Sequence, residues 1–253
     1  MTDTTQIRRA VILSAGKGSR LYPHTEDKPK CLLPLAGRTL LEWQLDALHA
    51  AGIEEMTIVT GFHHRLVDAV IARRGQERGR IDTLYNPFYQ VADNTGSVWI
   101  ARERFDRALL LLNGDTLVSP DLARAVVAGV GAPINVTIDR KPAYDSDDMK
   151  VETDGAGRLR RIGKQLTVCD AESIGFLAFV GDGPRLFADA VQQVMETPEG
   201  TRCWYLSVID RLAQSGVAVG TIGIEGQEWQ EVDYPADLDA AAALTERWAD
   251  RGY

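Results

Sequence analysis

The sequence predicts a single α/β domain, residues 1–253, built on an open, doubly wound sheet. In the first half of the chain, apolar β-like runs alternate with segments whose apolar residues recur at helical spacing. This alternation is typical of βαβ units around a parallel sheet. From about residue 133 the runs become shorter, which predicts a small antiparallel or mixed β extension over the ligand crevice. The chain is 45% hydrophobic, which is enough to bury one full core.

The elements of the first half follow from short local signals. RAVILS (9–14) is expected to be the first strand, and a Gly-rich loop follows it to about residue 38. Thr39 is a suitable N-cap for a helix of regularly spaced leucines, and Gly52 ends that helix. The later elements of this half are predicted to be a strand at 55–61, a helix at 63–74, a strand at 80–86, a helix beginning near Asn94 or Thr95, a strand at 107–115, and a helix begun by Ser119 and Pro120.

Shorter strands dominate the second half. The segments INVTIDR, MKVETD, RLRRIGK and SIGFLAFV have the composition of strands, and the turn DGAGR separates two of them. The rest of the chain is expected to contain helices near 183–196 and 203–215, a strand at 217–224, and a helix from about 236 to 249.

Composition excludes several classes of protein. A net charge of -8 without a run of Lys or Arg gives no electrostatic footprint for nucleic acid. No apolar run approaches the length that spans a bilayer, so membrane insertion is not expected. The 3 cysteines are scattered without a disulfide or zinc pattern, which is typical of cytoplasmic thiols. We therefore expect a cytoplasmic protein.

The segment from Val11 to Pro34 has the features of a phosphate-binding loop. It begins where a predicted strand ends, which is where open α/β sheets place their ligands. Gly16 and Gly18 let the backbone approach phosphate oxygens, and Arg20 and Lys30 add positive charge. The order of residues matches neither a P-loop nor a dinucleotide fingerprint. On the residues alone, a Gly-containing surface turn is an equal alternative.

Two aspartates are candidate metal ligands. Asp115 follows the buried run LLLLNG, and Asp233 precedes the Pro that opens the last helix. Both positions are element ends that can face the crevice. Mg²⁺ prefers few protein oxygens together with waters and substrate phosphates, so two carboxylates from distant segments suffice. The alternative is that each aspartate caps its own turn or helix.

The motif LSAGKGSRL, followed by KPK, resembles the signature of the nucleotidyltransferase family that includes the sugar-1-phosphate nucleotidylyltransferases. The segment KPKCLLPLAGRTLLEWQLDAL is similar to sequences from the branch of phosphocholine and aminoethylphosphonate cytidylyltransferases. The resemblance implies a Rossmann-like mixed sheet of the nucleotide-diphospho-sugar transferase kind, catalytic roles for Arg20 and Lys30, and Mg²⁺ on Asp115 and Asp233. The nucleotide-binding residues that it implies are Leu13, Ala15, Gly16, Gly18, Ser19 and Arg20.

The resemblance extends to the acceptor and the base. SDDMKV and AESIGF resemble family segments in which residues matching Lys150 and Glu172 lie near the acceptor phosphate. Asn94 and Ser97 correspond to residues that read a pyrimidine edge in the cytidylyltransferase branch, whereas the intervening Thr95-Gly96 departs from its pattern. Solvated or structural roles remain the alternative for each of these residues. Trp204, Tyr205, Trp229 and Tyr144 are candidate partners of a choline head group, or core residues.

The predicted function is therefore a Mg²⁺-dependent cytidylyltransferase that transfers CMP from CTP to a small acceptor and releases pyrophosphate. Phosphocholine, an aminoalkylphosphonate, a phospho-alcohol and a phospho-amino acid are the acceptors considered. One alternative is a sugar-1-phosphate or cyclitol-phosphate nucleotidylyltransferase that uses another NTP, and a second is a catalytically silent regulatory subunit that binds nucleotide. Dimers and tetramers are common in the families that the chain resembles, so a homo-oligomer stays open.

Overall fold

The structure, a computed structural model, describes residues 6–75 and 79–253. Its first half alternates strands and helices, as the sequence predicts. In chain order the elements are β1 (Arg9–Ser14), β2 (Pro34–Leu35), β3 (Arg38–Thr39), α1 (Leu40–Ala50), β4 (Glu55–Thr60), α2 (His64–Arg74), β5 (Arg80–Tyr85), α3 (Asn94–Ile100), β6 (Leu109–Asn113), β7 (Thr116–Val118) and α4 (Pro120–Ala128).

The second half contains the shorter strands and three helices. These are β8 (Ile134–Asp139), β9 (Lys150–Thr153), β10 (Leu159–Ile162), β11 (Ala171–Phe179), α5 (Gly183–Met195), α6 (Tyr205–Gln214), β12 (Val219–Gly223), β13 (Trp229–Glu231) and α7 (Pro235–Asp250). In the described parts of the chain, none of the helices has the length and apolar character needed to cross a membrane.

A nine-stranded mixed sheet forms the centre of the fold. Its main path runs in the order β10-β9-β11-β6-β1-β4-β5, and β8 pairs with both β11 and β12. β6, β1, β4 and β5 are parallel, so Val11 pairs with Thr57 on one side and with Leu111 on the other. β11 runs antiparallel to β6 and begins the predicted antiparallel extension. The mixed doubly wound architecture predicted from the sequence is confirmed.

Both faces of the sheet are covered by helices. One apolar cluster joins the sheet to α1, α2 and α4 and includes Leu45, Val67 and Val126. The cluster on the other face joins it to α3, α5 and α6 and includes Phe187 and Ile209. Because strands buried on both faces lose their polar alternation, β1 and β6 appear in the sequence as continuous apolar runs.

The start of α1 matches the predicted cap. The Thr39 hydroxyl accepts a hydrogen bond from the Glu42 amide at 3.2 Å, and the Glu42 carboxylate accepts one from the Thr39 amide at 2.7 Å. This reciprocal capping box satisfies two amides that the helix itself leaves unpaired. It fixes the start of α1, which packs beneath the β6–β7 turn.

One short ladder was not predicted from the sequence. β7 and β13 form a separate two-stranded antiparallel sheet in which Glu231 pairs with Thr116. The Val232 amide also donates to the Asp115 carbonyl at 3.0 Å. This ladder brings the NGD segment and the EVD segment together, although more than a hundred residues separate them in the sequence.

Candidate active site

A large crevice lies at the carboxyl ends of β1 and β6. Its volume is about 1180 Å³. This is the edge at which open α/β sheets bind ligands. The residues predicted from the sequence that line it are Leu13, Gly16, Gly18, Ser19, Arg20, Lys30, Asn94, Asp115, Glu172, Trp204, Trp229 and Asp233.

The glycine loop forms one wall of the crevice. Gly18 has φ +67°, a left-handed conformation, and a Cβ there would lie 3.0 Å from the Cβ of Lys30. The Thr25 hydroxyl donates to the Gly18 carbonyl at 2.7 Å and holds the loop against the following turn. A Cβ at Gly16 would meet nothing within 4 Å, so this glycine leaves open space for a ligand. Gly18 is therefore needed for the loop conformation and for the packing of Lys30. Gly16 allows a ligand to approach the backbone of the loop.

Three carboxylates converge opposite the loop. One oxygen from each of Asp115, Glu231 and Asp233 lies within 4.8 Å of the others. The Lys30 ammonium donates to Asp115 at 3.0 Å and also contacts Asp233. The Arg20 guanidinium donates to Asp233 at 3.1 Å. The structure thus brings together the four residues that the sequence proposed for catalysis and metal binding, and it adds Glu231.

Burial and neighbouring charges shift the pKa values of Lys30 and Glu231 in this cluster. Burial works against the charge of Lys30, but Asp115 and Asp233 outweigh it and raise the pKa of this lysine. The pKa of Glu231 rises to about 8, because protein surrounds its carboxylate on most sides and Asp115 and Asp233 repel its charge. The Glu231 residue nevertheless retains solvent access, since it lines an open crevice. Lys30 and Arg20 balance the charges of Asp115 and Asp233. The raised pKa of Glu231 shows that a third negative charge here is unfavourable unless a further cation binds.

The donor set fits Mg²⁺. Oxygen ligands are those that Mg²⁺ prefers, and all three residues offer carboxylates. The Oδ1 atom of Asp115 is buried and has no hydrogen-bond partner among the described residues. A buried, unpaired carboxylate oxygen is costly unless a ligand satisfies it. Asp115, Glu231 and Asp233 therefore form a candidate metal centre.

Lys141 dominates the opposite end of the crevice. Its ammonium lies 2.8 Å from Asp148 and 2.9 Å from Glu172. Glu172 is only 5% exposed, and burial raises its pKa to about 7 although Lys141 opposes the shift. Lys150 turns away, because its ammonium donates to the Lys164 carbonyl at 3.1 Å. The lysines that line this end of the crevice are Lys141 and Lys164.

The two residues assigned to the base lie at different depths. Asn94 lines the crevice, and its side-chain oxygen accepts a hydrogen bond from the Tyr205 amide at 3.0 Å. Ser97 is 5% exposed and accepts a hydrogen bond from the Asn86 side chain at 3.0 Å. Ser97 and Ala15 are not part of the crevice lining. Asn94 is thus in position to meet a ligand, whereas Ser97 already has a buried partner.

The aromatic candidates for binding a choline head group differ in exposure. Tyr205 is fully buried, and its hydroxyl donates to the Asn113 side chain at 2.9 Å. Trp204 lines the crevice at 42% exposure, and the Lys164 ammonium lies 4.7 Å from its ring centroid. The Trp204 face is therefore able to hold a cation, whereas Tyr205 is a core residue.

Sequence reasoning missed Glu231 and Lys141. Glu231 lies two residues before Asp233, and strand alternation places residues two apart on the same face. This spacing is the signal that would have identified it. Lys141 follows the end of β8 by two residues, at a strand end that borders the crevice.

The glycine loop, the paired basic residues and the carboxylate cluster lie together in one crevice, which makes it a candidate site for a polyphosphate and a divalent metal. The model of the MobA-like NTP transferase domain matches residues 10–142, which is more than half of the chain. The chain belongs to this family, and its predicted membership in the nucleotidyltransferases is confirmed.

Curated relatives agree with this assignment, and a solved structure shares the fold. The CMP-5'-(3-aminopropyl)phosphonate synthase of Streptomyces rubellomurinus is 30% identical over 239 residues, which cover 90% of this chain and 37% of the relative. The bifunctional IPC transferase and DIPP synthase of Aquifex aeolicus is 27% identical, and the match covers 97% of this chain and 54% of the relative. The chain thus spans about half or less of the length of these two relatives. The structure of the inositol-1-phosphate CTP transferase from T. maritima superposes with a TM-score of 0.79 at 19% identity, covering 95% of this chain and 97% of that one. This similarity confirms the fold.

Proposed function

We propose that the chain is a Mg²⁺-dependent cytidylyltransferase that transfers CMP from CTP to a small phosphorylated or phosphonylated acceptor. The observation that carries the proposal is the meeting of Lys30 and Arg20 with the carboxylates of Asp115 and Asp233 beside the glycine loop. Family membership gives NTP as the nucleotide class. The relative from Streptomyces rubellomurinus is named for a CMP-linked aminophosphonate, which supports CTP and an acceptor of this kind.

In the proposed reaction an oxygen of the acceptor phosphate or phosphonate attacks the α-phosphorus of CTP. The bond from the α-phosphorus to the bridging oxygen breaks, and pyrophosphate leaves with that oxygen. No covalent enzyme intermediate is required, because positioning and charge neutralisation supply most of the catalysis in phosphoryl-type transfer. The proposal therefore assigns binding and electrostatic roles to the residues of the crevice.

The nucleotide half of the crevice has the groups for these roles. The glycine loop, with Gly16, Gly18 and Ser19, lies against the triphosphate, and Leu13 and Asn94 lie towards the base. Lys30 and Arg20 supply positive charge to the phosphates, the first as a point charge and the second as a fork. Mg²⁺ held by Asp115, Glu231 and Asp233 would neutralise charge on the α-phosphate and the leaving group.

The acceptor half contains both signs of charge. Lys141 and Lys164 line it and are the cations available to a phosphate or phosphonate. The Trp204 ring, with Asp145 and Asp147 of the loop before β9, is suited to an ammonium group on the same acceptor. An acceptor with an anion at one end and an amine at the other matches this distribution. We therefore favour an aminoalkylphosphonate or phosphocholine over a sugar 1-phosphate.

The test is pyrophosphate release with Mg²⁺ and each of CTP, UTP, GTP, ATP and dTTP. The acceptor panel contains aminoalkylphosphonates, phosphocholine, phospho-amino acids, phospho-alcohols, sugar 1-phosphates and cyclitol phosphates. We expect release with CTP and a small amine-bearing acceptor. Release with a sugar or cyclitol phosphate and another NTP would replace this proposal by the sugar nucleotidylyltransferase. Nucleotide binding without release from any pair would favour a regulatory subunit.

A further inference from the structure

The side chain of Gln44 contacts the turn that carries Asp115. Gln44 lies in α1 and is fully buried. Its amide nitrogen donates one hydrogen bond to the Asn113 carbonyl and one to the Thr116 carbonyl, both at 2.8 Å. Because both partners are acceptors, the amide orientation is fixed by its surroundings. One side chain therefore spans the two residues that flank Gly114 and Asp115.

This turn is fixed at its other side as well. The Gly114 amide donates to the Leu13 carbonyl at 2.9 Å, and the Thr116 hydroxyl donates to the Ile174 carbonyl at 2.9 Å. A Cβ at Gly114 would lie 2.4 Å from that same Leu13 oxygen, so the turn has no room to shift towards β1. Gln44 closes the remaining side, which faces α1. The direction of the Asp115 carboxylate thus depends on contacts from three elements.

Burial of the Gln44 side chain lowers the stability of the fold. Its neighbours on the buried face of α1 are the leucines Leu41, Leu45 and Leu48. Its Oε1 atom is buried without a hydrogen-bond partner in the described ranges 6–75 and 79–253. An unsatisfied buried acceptor lowers stability. A residue with this cost is explained by what its two N–H groups hold in place.

We infer that Gln44 is a positioning residue for the metal centre: it fixes the β6–β7 turn so that the Asp115 carboxylate meets those of Glu231 and Asp233. The inference rests on the proposed function, because it takes these three carboxylates to be the metal ligands. Gln44 itself touches neither metal nor substrate. Its effect reaches the metal through the backbone of the turn.

The test measures Mn²⁺ binding to the nucleotide-free protein by electron paramagnetic resonance. Gln44→Met keeps the length of the side chain and removes both donors. Gln44→Leu also removes both donors, and it serves if the methionine variant does not fold. Loss of a group that orients a metal ligand typically weakens metal binding 10- to 100-fold. We expect the Mn²⁺ dissociation constant of either variant to rise by about that factor.

Trp43→Phe is the matched control. Trp43 is the preceding residue of α1, is 2% exposed, and its indole N–H donates to the Leu35 carbonyl at 2.9 Å, away from the turn. Trp43→Phe also removes one buried hydrogen bond to a carbonyl, so it reproduces the general destabilisation while it leaves the hydrogen bonds of the Asp115 turn in place. We expect it to lower the melting temperature and to leave Mn²⁺ affinity unchanged.

The outcomes distinguish a failure of the inference about Gln44 from a failure of the proposed function. Weaker Mn²⁺ binding in a folded Gln44 variant, with normal binding in Trp43→Phe, supports the inference. Unchanged Mn²⁺ binding in a folded Gln44 variant, or equal loss in Trp43→Phe, overturns it and leaves the proposed function standing. Absence of Mn²⁺ binding by the wild-type protein, both alone and with CTP present, would refute the metal assignment itself, and the inference with it.

Discussion

Lys30→Met should destabilise the metal-free protein and make its stability depend on Mg²⁺. The Lys30 side chain is 15% exposed, and its ammonium lies 3.0 Å from Asp115. At this distance, with an effective dielectric constant of about 20, one pair is worth about 5.5 kcal/mol before desolvation is subtracted. Removing one partner of a buried pair costs about 3–5 kcal/mol. Because the Asp115 and Asp233 side chains are each 26% exposed, we expect the lower end, about 3 kcal/mol.

Mg²⁺ should recover part of this loss. Without the ammonium, Asp115, Glu231 and Asp233 retain the exposed pair between Asp233 and Arg20, which offsets little of their mutual repulsion. A divalent ion that binds the folded state stabilises it, and it has more repulsion to relieve in the variant. We therefore expect saturating Mg²⁺ to raise the unfolding free energy of Lys30→Met more than that of the wild type. Turnover should still fall about 100- to 1000-fold, as when an electrostatic contact to the transition state is lost.

Urea denaturation in EDTA and in MgCl₂ measures both effects, provided that the m-value is unchanged. Lys28→Met is the matched control, since Lys28 forms an exposed ion pair with its neighbour Asp27 and its loss should cost under about 0.5 kcal/mol. A loss below about 1 kcal/mol for Lys30→Met in EDTA, or equal stabilisation of both proteins by Mg²⁺, would refute the reasoning. In that case Lys30 would not be the charge that balances these carboxylates.

Three further predictions concern the candidate metal ligands, Glu172 and Ser97. Asp115→Asn and Asp233→Asn should leave the fold intact and remove most Mg²⁺-dependent pyrophosphate release, because each loses a carboxylate ligand; near-normal rates in both would contradict the metal assignment. Burial raises the pKa of Glu172 from 4.5 to about 7, so between these pH values the folded state holds a proton that the unfolded state has released. Wild-type stability should fall relative to Glu172→Gln as pH rises through this window, whereas parallel pH profiles in urea denaturation would argue against a buried, protonated Glu172. Ser97→Ala should lower the free energy of unfolding by about 1 kcal/mol, because Asn86 loses its buried acceptor. It should leave the ratio of the rates with CTP and UTP unchanged. A changed ratio would indicate that Ser97 does contact the base.

The large elements were predictable because their signals are long and local. β1 and β6 are continuous apolar runs, and α1 begins at a capping pair and packs its leucines on one face. The ladder between β7 and β13 gave no such signal. Each strand has three residues, and its stability comes from a partner that is distant in the sequence. Short strands of this kind are specified by tertiary contacts more than by propensity.

Residues of the candidate site were predictable where a single motif contained both the glycines that shape the loop and the charged side chains. The glycine loop gave Gly18, Arg20 and Lys30 together. For Lys150 the sequence identified an ammonium near the crevice but not its direction, and in the structure this ammonium meets the Lys164 carbonyl. Lys141 forms the crevice wall instead. A sequence motif does not report the direction of a long, flexible side chain, because neighbouring packing decides it.

The candidate metal centre depends on the register of the β7–β13 ladder. Glu231 pairs with Thr116, and the Val232 amide donates to the Asp115 carbonyl at 3.0 Å. Glu231 and Asp233 are two residues apart, so this register points both towards Asp115. A slip of one residue would reverse the side chains of the strand and turn the carboxylates away. Because each strand is too short to hold its register alone, fixed contacts at the β6–β7 turn are needed, and the two hydrogen bonds from Gln44 act at that turn.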